Sequence, residues 1–260
     1  MSKKLLIEDK DGNLIDLFPS ASIVSNKLLT EDLGKIFEKA ICMVYETQFD
    51  GKYNYSISKA ESLKNKLCNL KNVFPHEVVH TAKNGGQYDF TVANKSDIKL
   101  SAKTTKKGYK VCPQVIGQPT KKKFCEHFDI DISSTDEQIK IYILKNISKL
   151  LKKYFKYTFD CPIVYYNEHK NNLWFITKKK DIDFDENCQI EFSHIKRNKT
   201  WNESTSIRIN GYSMGEFQVH NHRDNIKFRW NLLNMMKCFH YGKNNEYFKV
   251  VDLHTNSKII

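Results

Sequence analysis

The first half of the chain carries apolar residues mainly at helical spacing. Thr30 can cap a helix with its hydroxyl and is followed by two acidic residues, which favour a helix start. Apolar residues then repeat every three or four positions, at Leu33, Ile36, Phe37, Ala40, Ile41 and Val44. This spacing predicts an amphipathic helix, and the same criterion predicts helices over residues 58–70 and 136–155.

Alternating apolar and polar residues, the pattern of a half-buried strand, appear from Tyr88 onwards. Residues 88–93 and 98–104 alternate on either side of a polar turn and so predict a β-hairpin. Later strands are predicted at residues 163–166, 173–177, 189–193, 206–209, 216–220 and 226–230. We expect an α/β core over residues 1–158 and a β-rich region over residues 159–260. No flexible linker separates them, so one continuous domain is the alternative.

Composition adds a preference for a polyanionic partner. The 42 Lys and Arg against 30 Asp and Glu give a formal charge of +12, spread along the whole chain. This balance suits nucleic acid, although a solvated basic surface is an equal alternative. Seven cysteines without a CxxC pair predict reduced thiols rather than a zinc site. Without a signal peptide or an apolar run near 18 residues, we expect a cytoplasmic protein with no membrane partner.

The predicted hairpin carries residues that suit phosphodiester hydrolysis. Ser101 and Lys103 project from one face of their strand, and the paired strand can bring Asp89 beside them. The reaction needs a divalent cation at the phosphate and a positive charge that stabilises the transition state. Asp89 and the carbonyl of Ala102 are oxygen ligands suited to Mg²⁺, and Lys103 can orient water and neutralise the phosphate. Such residues are common on strands, so the pattern alone is not specific.

Taken together, these segments resemble type II restriction endonucleases of the PD-(D/E)XK nuclease superfamily, in particular the small MspI-type enzymes. Asp89 matches the first acid of the motif, and Ser101-Ala102-Lys103 matches its (D/E)XK half. Gly85-Gly86-Gln87-Tyr88 is similar to the glycine-bearing turn before that hairpin, and residues 33–39 are similar to the N-terminal helix. The resemblance implies a mixed central sheet flanked by helices, with a β-rich C-terminal recognition region.

The resemblance also implies a function and a set of partners. They are Mg²⁺-dependent cleavage of duplex DNA at a short specific sequence, a companion methyltransferase and a place in the bacterial cytoplasm. The enzyme would be a monomer or a homodimer. Two alternatives remain open, a DNA-binding protein without catalysis, such as a degenerate nuclease, and a nuclease directed at RNA.

The second acid of the motif is replaced by Ser101 in this chain. A hydroxyl is a poorer magnesium ligand than a carboxylate, so another acid compensates or the metal relies on Asp89, a backbone carbonyl and water. By the resemblance, Glu38 on the N-terminal helix is the first candidate for the missing ligand, and an exposed helix acid is its alternative. Glu77 and Asp97 are other acids near the motif.

Two segments carry side chains that suit contact with DNA. In the first, Lys106 and Lys107 are predicted to contact phosphates, and Gln114 and Gln118 are predicted to reach base edges. The second is a predicted hairpin near the C-terminus, where Arg can bind guanine and Asn or Gln can bind adenine. Its predicted DNA-binding residues are Gln218, His220, Asn221, His222, Arg223, Asn225, Lys227 and Arg229. A solvated sheet face and a metal site of His220, His222, His240 and Asp224 are the alternatives.

Overall fold

A computed structural model describes residues 6–8, 14–16, 30–82, 87–185, 188–220, 222–239, 246–255 and 257–258. Its helices are α1 (Thr30–Tyr45), α2 (Ile57–Lys66), α3 (Leu70–Val73), α4 (Lys121–Phe128), α5 (Asp136–Lys145), α6 (Ile147–Thr158), α7 (Ser193–Lys196) and α8 (Leu232–Phe239). The first strands are β1 (Leu6–Glu8), β2 (Leu14–Asp16), β3 (Val78–His80), β4 (Phe90–Val92), β5 (Lys95–Thr105), β6 (Lys110–Val111) and β7 (Ile163–Asn167). The later strands are β8 (Asn172–Lys178), β9 (Ile190–Phe192), β10 (Ser204–Ile209), β11 (Tyr212–Val219), β12 (Ile226–Asn231), β13 (Phe248–Asp252) and β14 (Ser257–Lys258).

The N-terminal helix begins at Thr30 as predicted, and its apolar face is buried. The helix predicted over residues 58–70 ends earlier, and α3 follows it as a separate short helix. The helix predicted over residues 136–155 is two helices. They meet at Asn146, whose backbone leaves the helical region at φ −118° and whose side chain donates to the carbonyl of Tyr142. Asparagine competes for backbone hydrogen bonds in this way, which explains the break.

A seven-stranded mixed sheet, in the order β14-β13-β8-β7-β5-β4-β3, forms the centre of the fold. β4 and β5 form the predicted hairpin, with Phe90 opposite Leu100. β5 also pairs in parallel with β7, which places Ser101 opposite Ile163. The predicted α/β fold with a mixed central sheet is therefore confirmed. Strands from both sides of residue 158 hydrogen-bond in this sheet, so the predicted boundary falls inside a shared sheet.

The two faces of this sheet pack against different partners. Leu100 and Val164 point towards α1 and join its apolar cluster, and Thr104 lies beside Gly34 of α1. The alternate positions, among them Ile163 and Tyr165, belong to a second cluster together with α5 and α6. Because side chains alternate along a strand, Ser101 and Lys103 lie on this second face, opposite α1.

A five-stranded antiparallel sheet, in the order β6-β12-β11-β10-β9, covers the second cluster. Its inner residues are fully buried: Phe228 stacks on Tyr154 at 4.3 Å between ring centroids, and Trp230 donates to Thr158 Oγ1 at 3.1 Å. The outer residues of β11 and β12 are partly exposed, as the alternation predicts. Within the described residues, no helix is both long and apolar enough to cross a bilayer.

Only four residues, 106–109, connect β5 of the large sheet to β6 of the small one. The side-chain amide of Asn167 donates to Thr105 Oγ1 at 2.9 Å and to the carbonyl of Gly108. Gly108 has a φ of +68°, a conformation that a residue with a Cβ adopts only at a cost. Tyr109 stacks on Trp174 at 6.1 Å between centroids. These contacts hold the two sheets at a fixed offset along one continuous segment.

Candidate active site

Asp89 lies one residue before β4 and is anchored on both sides. Its carbonyl accepts a hydrogen bond from the backbone of Thr81 at 2.9 Å. Its carboxylate oxygen Oδ2 accepts from the backbone nitrogen of Ala102 at 2.7 Å and from the hydroxyl of Ser101 at 3.0 Å. The nitrogen of Lys103 is 3.9 Å from the same oxygen. The structure therefore brings together Asp89, Ser101, Ala102 and Lys103, as the sequence predicts.

The hydrogen-bond pattern of β5 explains why Ala102 faces Asp89. In a parallel pair, alternate residues of a strand direct both backbone groups to the same neighbour. Ser101 donates to Pro162, and Thr105 accepts from Glu168, so the odd-numbered positions face β7. Ala102 directs its N–H and carbonyl to the other side, beyond the start of β4. Its N–H bonds to Asp89, and by the same alternation its carbonyl points to that side as well.

The side chains of Asp89 and Lys103 are mostly buried but remain partly accessible to solvent. Their side chains are 16% and 15% exposed. The second carboxylate oxygen of Asp89, Oδ1, has no hydrogen-bond partner among the described residues. Such a carboxylate keeps lone pairs for a further ligand, and the neighbouring ammonium adds positive charge on the same face. This arrangement suits the binding of an anionic group next to a cation.

Ser101 is completely buried, and its hydroxyl is at the centre of a small polar cluster. It donates to Asp89 and accepts from the side-chain amide of Gln114. The thiol of Cys161 also lies beside Ser101, and burial, followed by the charge of Asp160, raises its pKa to about 12. A sulfur ligand is also poorly suited to Mg²⁺, which prefers oxygen, so Cys161 does not replace the missing carboxylate.

Glu38 lies in a different network from Asp89. It is buried on α1, where its Oε2 is 2.8 Å from Lys35 Nζ and 3.1 Å from His80 Nε2. Because His80 Nδ1 accepts from the backbone of Asp50, its proton is on Nε2, facing Glu38. Burial raises the pKa of Glu38, but the hydrogen bonds from His80 and Lys35, together with the charge of Lys35, outweigh it and leave the pKa below its usual range.

The structure thus does not bring Glu38 to Asp89 as the resemblance implies. Its recorded partners are on α1 and β3, while Ser101 and Lys103 face away from α1. The alternative of an exposed helix acid is wrong as well, because Glu38 is 7% exposed. A role for Glu38 as a metal ligand remains a prediction without a structural contact in its favour.

The oxygen atoms near Asp89 fit a hydrated magnesium ion. No group of three or more histidine, cysteine, aspartate or glutamate side chains forms a metal site within the described ranges. Mg²⁺, however, usually keeps several waters and takes only one or two carboxylates from the protein. The Asp89 carboxylate and the Ala102 carbonyl, which points to the same side of β5, supply such a set. This finding also gives the alternative His220, His222 and Asp224 metal site no support, and His240 lies outside the described residues.

The outer face of the small sheet carries a row of predicted DNA-binding residues. Gly117 accepts a backbone hydrogen bond from Phe228, and Pro119 accepts one from Ile226. Residues 117–119 therefore lie antiparallel along β12, with Gln118 opposite Lys227. Lys227 is in turn opposite Gln218 on β11. Since opposite residues share a face, these three polar side chains form one exposed or half-exposed row.

Arg229 lies on the same face but is neutralised. Its NH2 nitrogen is 2.6 Å from Glu216 Oε2, and Lys110 Nζ is 3.0 Å from the same atom. Burial raises the pKa of Glu216, but these hydrogen bonds and charges outweigh it, and the pKa is lowered overall. Arg229 is engaged in a cross-strand ion pair, and its contact with DNA stays a prediction.

The turn before β12 contributes three exposed or half-exposed residues of the predicted set. His222 and Arg223 are exposed, and Asn225 forms an isolated bridge with Thr120. His220 Nδ1 is 3.4 Å from a carboxylate oxygen of Glu203. Asn221 lies outside the described residues, as do Gly85 and Gly86 of the predicted turn before the catalytic hairpin.

Gln114 and the two turn lysines complete the predicted set. Gln114 is 9% exposed, and its amide is bound to Ser101, so the prediction that it reaches a base edge is corrected. No local signal places Gln114 or Cys161 beside Ser101, because pairing between distant segments brings them there. Lys106 is half-buried and Lys107 is exposed in the connection between β5 and β6, where phosphate contact stays a prediction.

Comparison with known proteins supplies one relative. The chain is 49% identical over 213 residues, 82% of its length, to "Type II restriction enzyme CviAII" of Paramecium bursaria Chlorella virus 1. The match covers 61% of that protein, so the chain spans about three fifths of its curated relative. No family model matches the chain, and no solved structure matches it. The relative carries the name of the enzyme class that the sequence segments resemble.

Proposed function

We propose that this chain is a type II restriction endonuclease that hydrolyses duplex DNA at a short specific sequence with Mg²⁺. The observation that carries the proposal is that Asp89, Ala102 and Lys103 lie together, with Asp89 Oδ2 bonded to the Ala102 N–H and 3.9 Å from Lys103 Nζ. The similarity to a viral enzyme named as a type II restriction enzyme supports the same reaction. The mixed sheet with its hairpin supports the PD-(D/E)XK nuclease fold.

In this mechanism the protein positions charge around a phosphodiester. The Asp89 carboxylate and the Ala102 carbonyl would hold Mg²⁺, which would supply Lewis-acid chemistry and make a neighbouring water more acidic. Lys103 places its ammonium beside the scissile phosphate and stabilises the negative charge that develops on it. Ser101 donates to Asp89 Oδ2 and so orients the carboxylate, whose Oδ1 would be available to a metal.

The outer face of the small sheet reads the DNA in this proposal. Gln118, Lys227 and Gln218 form the central row, and the exposed His222 and Arg223 extend it. Lys106 and Lys107 contact phosphates near the cut. The companion of such an enzyme is a methyltransferase that protects host sites. Monomer or homodimer remains open, as does the bacterial source, since the relative comes from a virus.

A plasmid digestion with and without Mg²⁺ tests the proposal. The wild type should give discrete bands only with the metal. Asp89→Ala and Lys103→Ala should give none, whereas Asp97→Ala and Lys95→Ala, at exposed positions of the same strand, should cut normally. Smears without bands would contradict site specificity, and bands from Asp89→Ala would contradict the active site. Competition with duplex RNA separates a DNA-directed from an RNA-directed nuclease.

A second candidate is a DNA-binding protein that has lost catalysis. Ser101 in place of the motif acid, together with the lack of a three-residue metal cluster in the described part of the chain, favours it. Such a protein would bind duplex DNA and give no cuts with Mg²⁺ or Mn²⁺.

A further inference from the structure

The loop formed by residues 112–117 is fixed at both ends on β12, a strand of the small sheet. Before the loop, Val111 of β6 pairs with Trp230. After it, Gly117 accepts a hydrogen bond from Phe228 at 2.8 Å. The two attachment points on β12 are only two residues apart. The loop therefore bulges out of the edge of the same sheet that carries Lys227 and Gln218.

The bulge reaches the catalytic strand through Gln114. Its amide donates to the hydroxyl of Ser101, and that hydroxyl donates to Asp89 Oδ2. The order of donors is fixed by chemistry, because a carboxylate only accepts and a hydroxyl has a single proton. Gln114 uses an acceptor site on Ser101 and thereby directs the hydroxyl proton to Asp89. In such a chain each hydrogen bond strengthens the next.

The loop is too tightly packed to move independently of the strand. A Cβ on Gly117 would lie 2.5 Å from the carbonyl oxygen of Pro113, so only glycine fits this close approach. Val115 has a φ of +57°, which is costly for a β-branched residue, and it is followed by the fully buried Ile116. A strained, closed loop of this kind transmits a displacement of its ends rather than absorbing it.

The positive charges near Cys112 of the loop come from both sheets, as expected for a loop that lies between them. Burial raises the pKa of the Cys112 thiol, and the positive charges of Lys227, Arg229 and Lys103 act against it. Lys227 and Arg229 belong to the DNA-reading face, and Lys103 belongs to the catalytic strand. One loop residue therefore lies within electrostatic range of both.

We propose that Gln114 is a positioning residue that links DNA recognition on the small sheet to the orientation of Asp89, through Ser101. DNA that fits the outer face of β12 holds the bulge in place and keeps the Gln114, Ser101 and Asp89 chain intact. DNA that fits poorly shifts β12 and weakens that chain. The inference rests on the proposed endonuclease function and adds a residue that controls which bound sites are cut.

The test compares two glutamines four residues apart, Gln114→Ala and Gln118→Ala. Affinity is measured with Ca²⁺ in place of Mg²⁺ on a duplex that contains the mapped site, and the rate is measured in single turnover with saturating enzyme. We expect Gln114→Ala to lower the rate about tenfold, the scale of one hydrogen bond, with affinity kept. Gln118→Ala should instead weaken affinity several-fold. Thermal unfolding of both variants verifies that they fold.

Two further readouts separate positioning from a general structural role. Gln114→Ala should slow cleavage of the cognate site more than that of a site with one changed base pair, so discrimination falls. In a Ser101→Ala background, adding Gln114→Ala should cause no further loss, because the chain is already broken.

Three results would each overturn the inference while leaving the endonuclease function in place. They are additive losses of cleavage rate in the Ser101→Ala, Gln114→Ala double variant, unchanged discrimination between the two sites in Gln114→Ala, and a wild-type cleavage rate in Gln114→Ala. A wild-type protein that does not cut at all would overturn both.

Discussion

Two carboxylates, Asp89 in the large sheet and Glu216 in the small one, each face cationic side chains from neighbouring positions. Glu216 is neutralised: Arg229 and Lys110 both approach its Oε2, at 2.6 and 3.0 Å. Asp89 has its lysine at 3.9 Å, and its bonds at shorter range come from neutral donors to a single oxygen. Among the described residues both carboxylates are engaged through one oxygen, so the charge of their neighbours distinguishes them. A carboxylate neutralised by two close cations stabilises a sheet, and one that is bound mainly by neutral donors keeps its negative charge for a metal.

The largest expected effect tests this difference directly. Asp89→Asn should lower the single-turnover cleavage rate about a thousandfold or more, because an amide is a poor magnesium ligand. Glu216→Gln should lower it by less than about tenfold, because Glu216 takes no part in the chemistry. Quench-flow measurement on the mapped duplex compares the two, and similar losses from both variants would contradict the division of roles.

Stability should respond in the opposite order. Glu216→Gln leaves Arg229 without its carboxylate, and the Nε of Arg229 is already buried with no partner among the described residues. The substitution should therefore cost about 1–3 kcal/mol of the free energy of unfolding. Glu191→Gln on β9 is the matched control, since its pair with Lys196 is far more exposed and should cost less than about 1 kcal/mol. Urea unfolding at neutral pH measures both, and equal costs would count against a special role for Glu216.

The same pairing predicts how stability depends on pH. The pKa of folded Glu216 is below its usual 4.5, so the folded protein binds this proton less readily than the unfolded chain does. The stabilisation is therefore present above about pH 4.5 and is lost as the pH falls through the lower folded value. Unfolding free energies from pH 7 down to pH 3 should decline less steeply in Glu216→Gln than in the wild type. Parallel curves would refute the assignment.

The smallest effect concerns Lys227, which has no carboxylate partner among the described residues. Lys227→Ala should weaken DNA binding several-fold and reduce the slope of log affinity against log salt by about one. Lys249→Ala, at an exposed position of the large sheet, should leave both quantities unaltered. Titrations at several salt concentrations provide the measurement, and an unchanged slope in Lys227→Ala would remove Lys227 from the DNA face.

The sequence predicts the features that depend on neighbours along the chain. The start of α1, the hairpin with Asp89 beside Ser101 and Lys103, and the inner and outer faces of β11 and β12 all follow from local periodicity. Pairing between distant segments is not visible in such patterns. Glu38 is hydrogen-bonded to His80, 42 residues away, and Gln114 is hydrogen-bonded to Ser101 because its loop is attached to β12.

The continuity of β5 into β6 has a consequence for how such a protein could change its cut. Residues 106–109, held by hydrogen bonds from Asn167, fix the distance between the strand that carries Lys103 and the sheet that faces the bases. Under the proposed function, the number of base pairs between the sequence read and the bond broken is set by the length of this connection. One added or deleted residue there would shift the position of the cut, while the read sequence stayed the same.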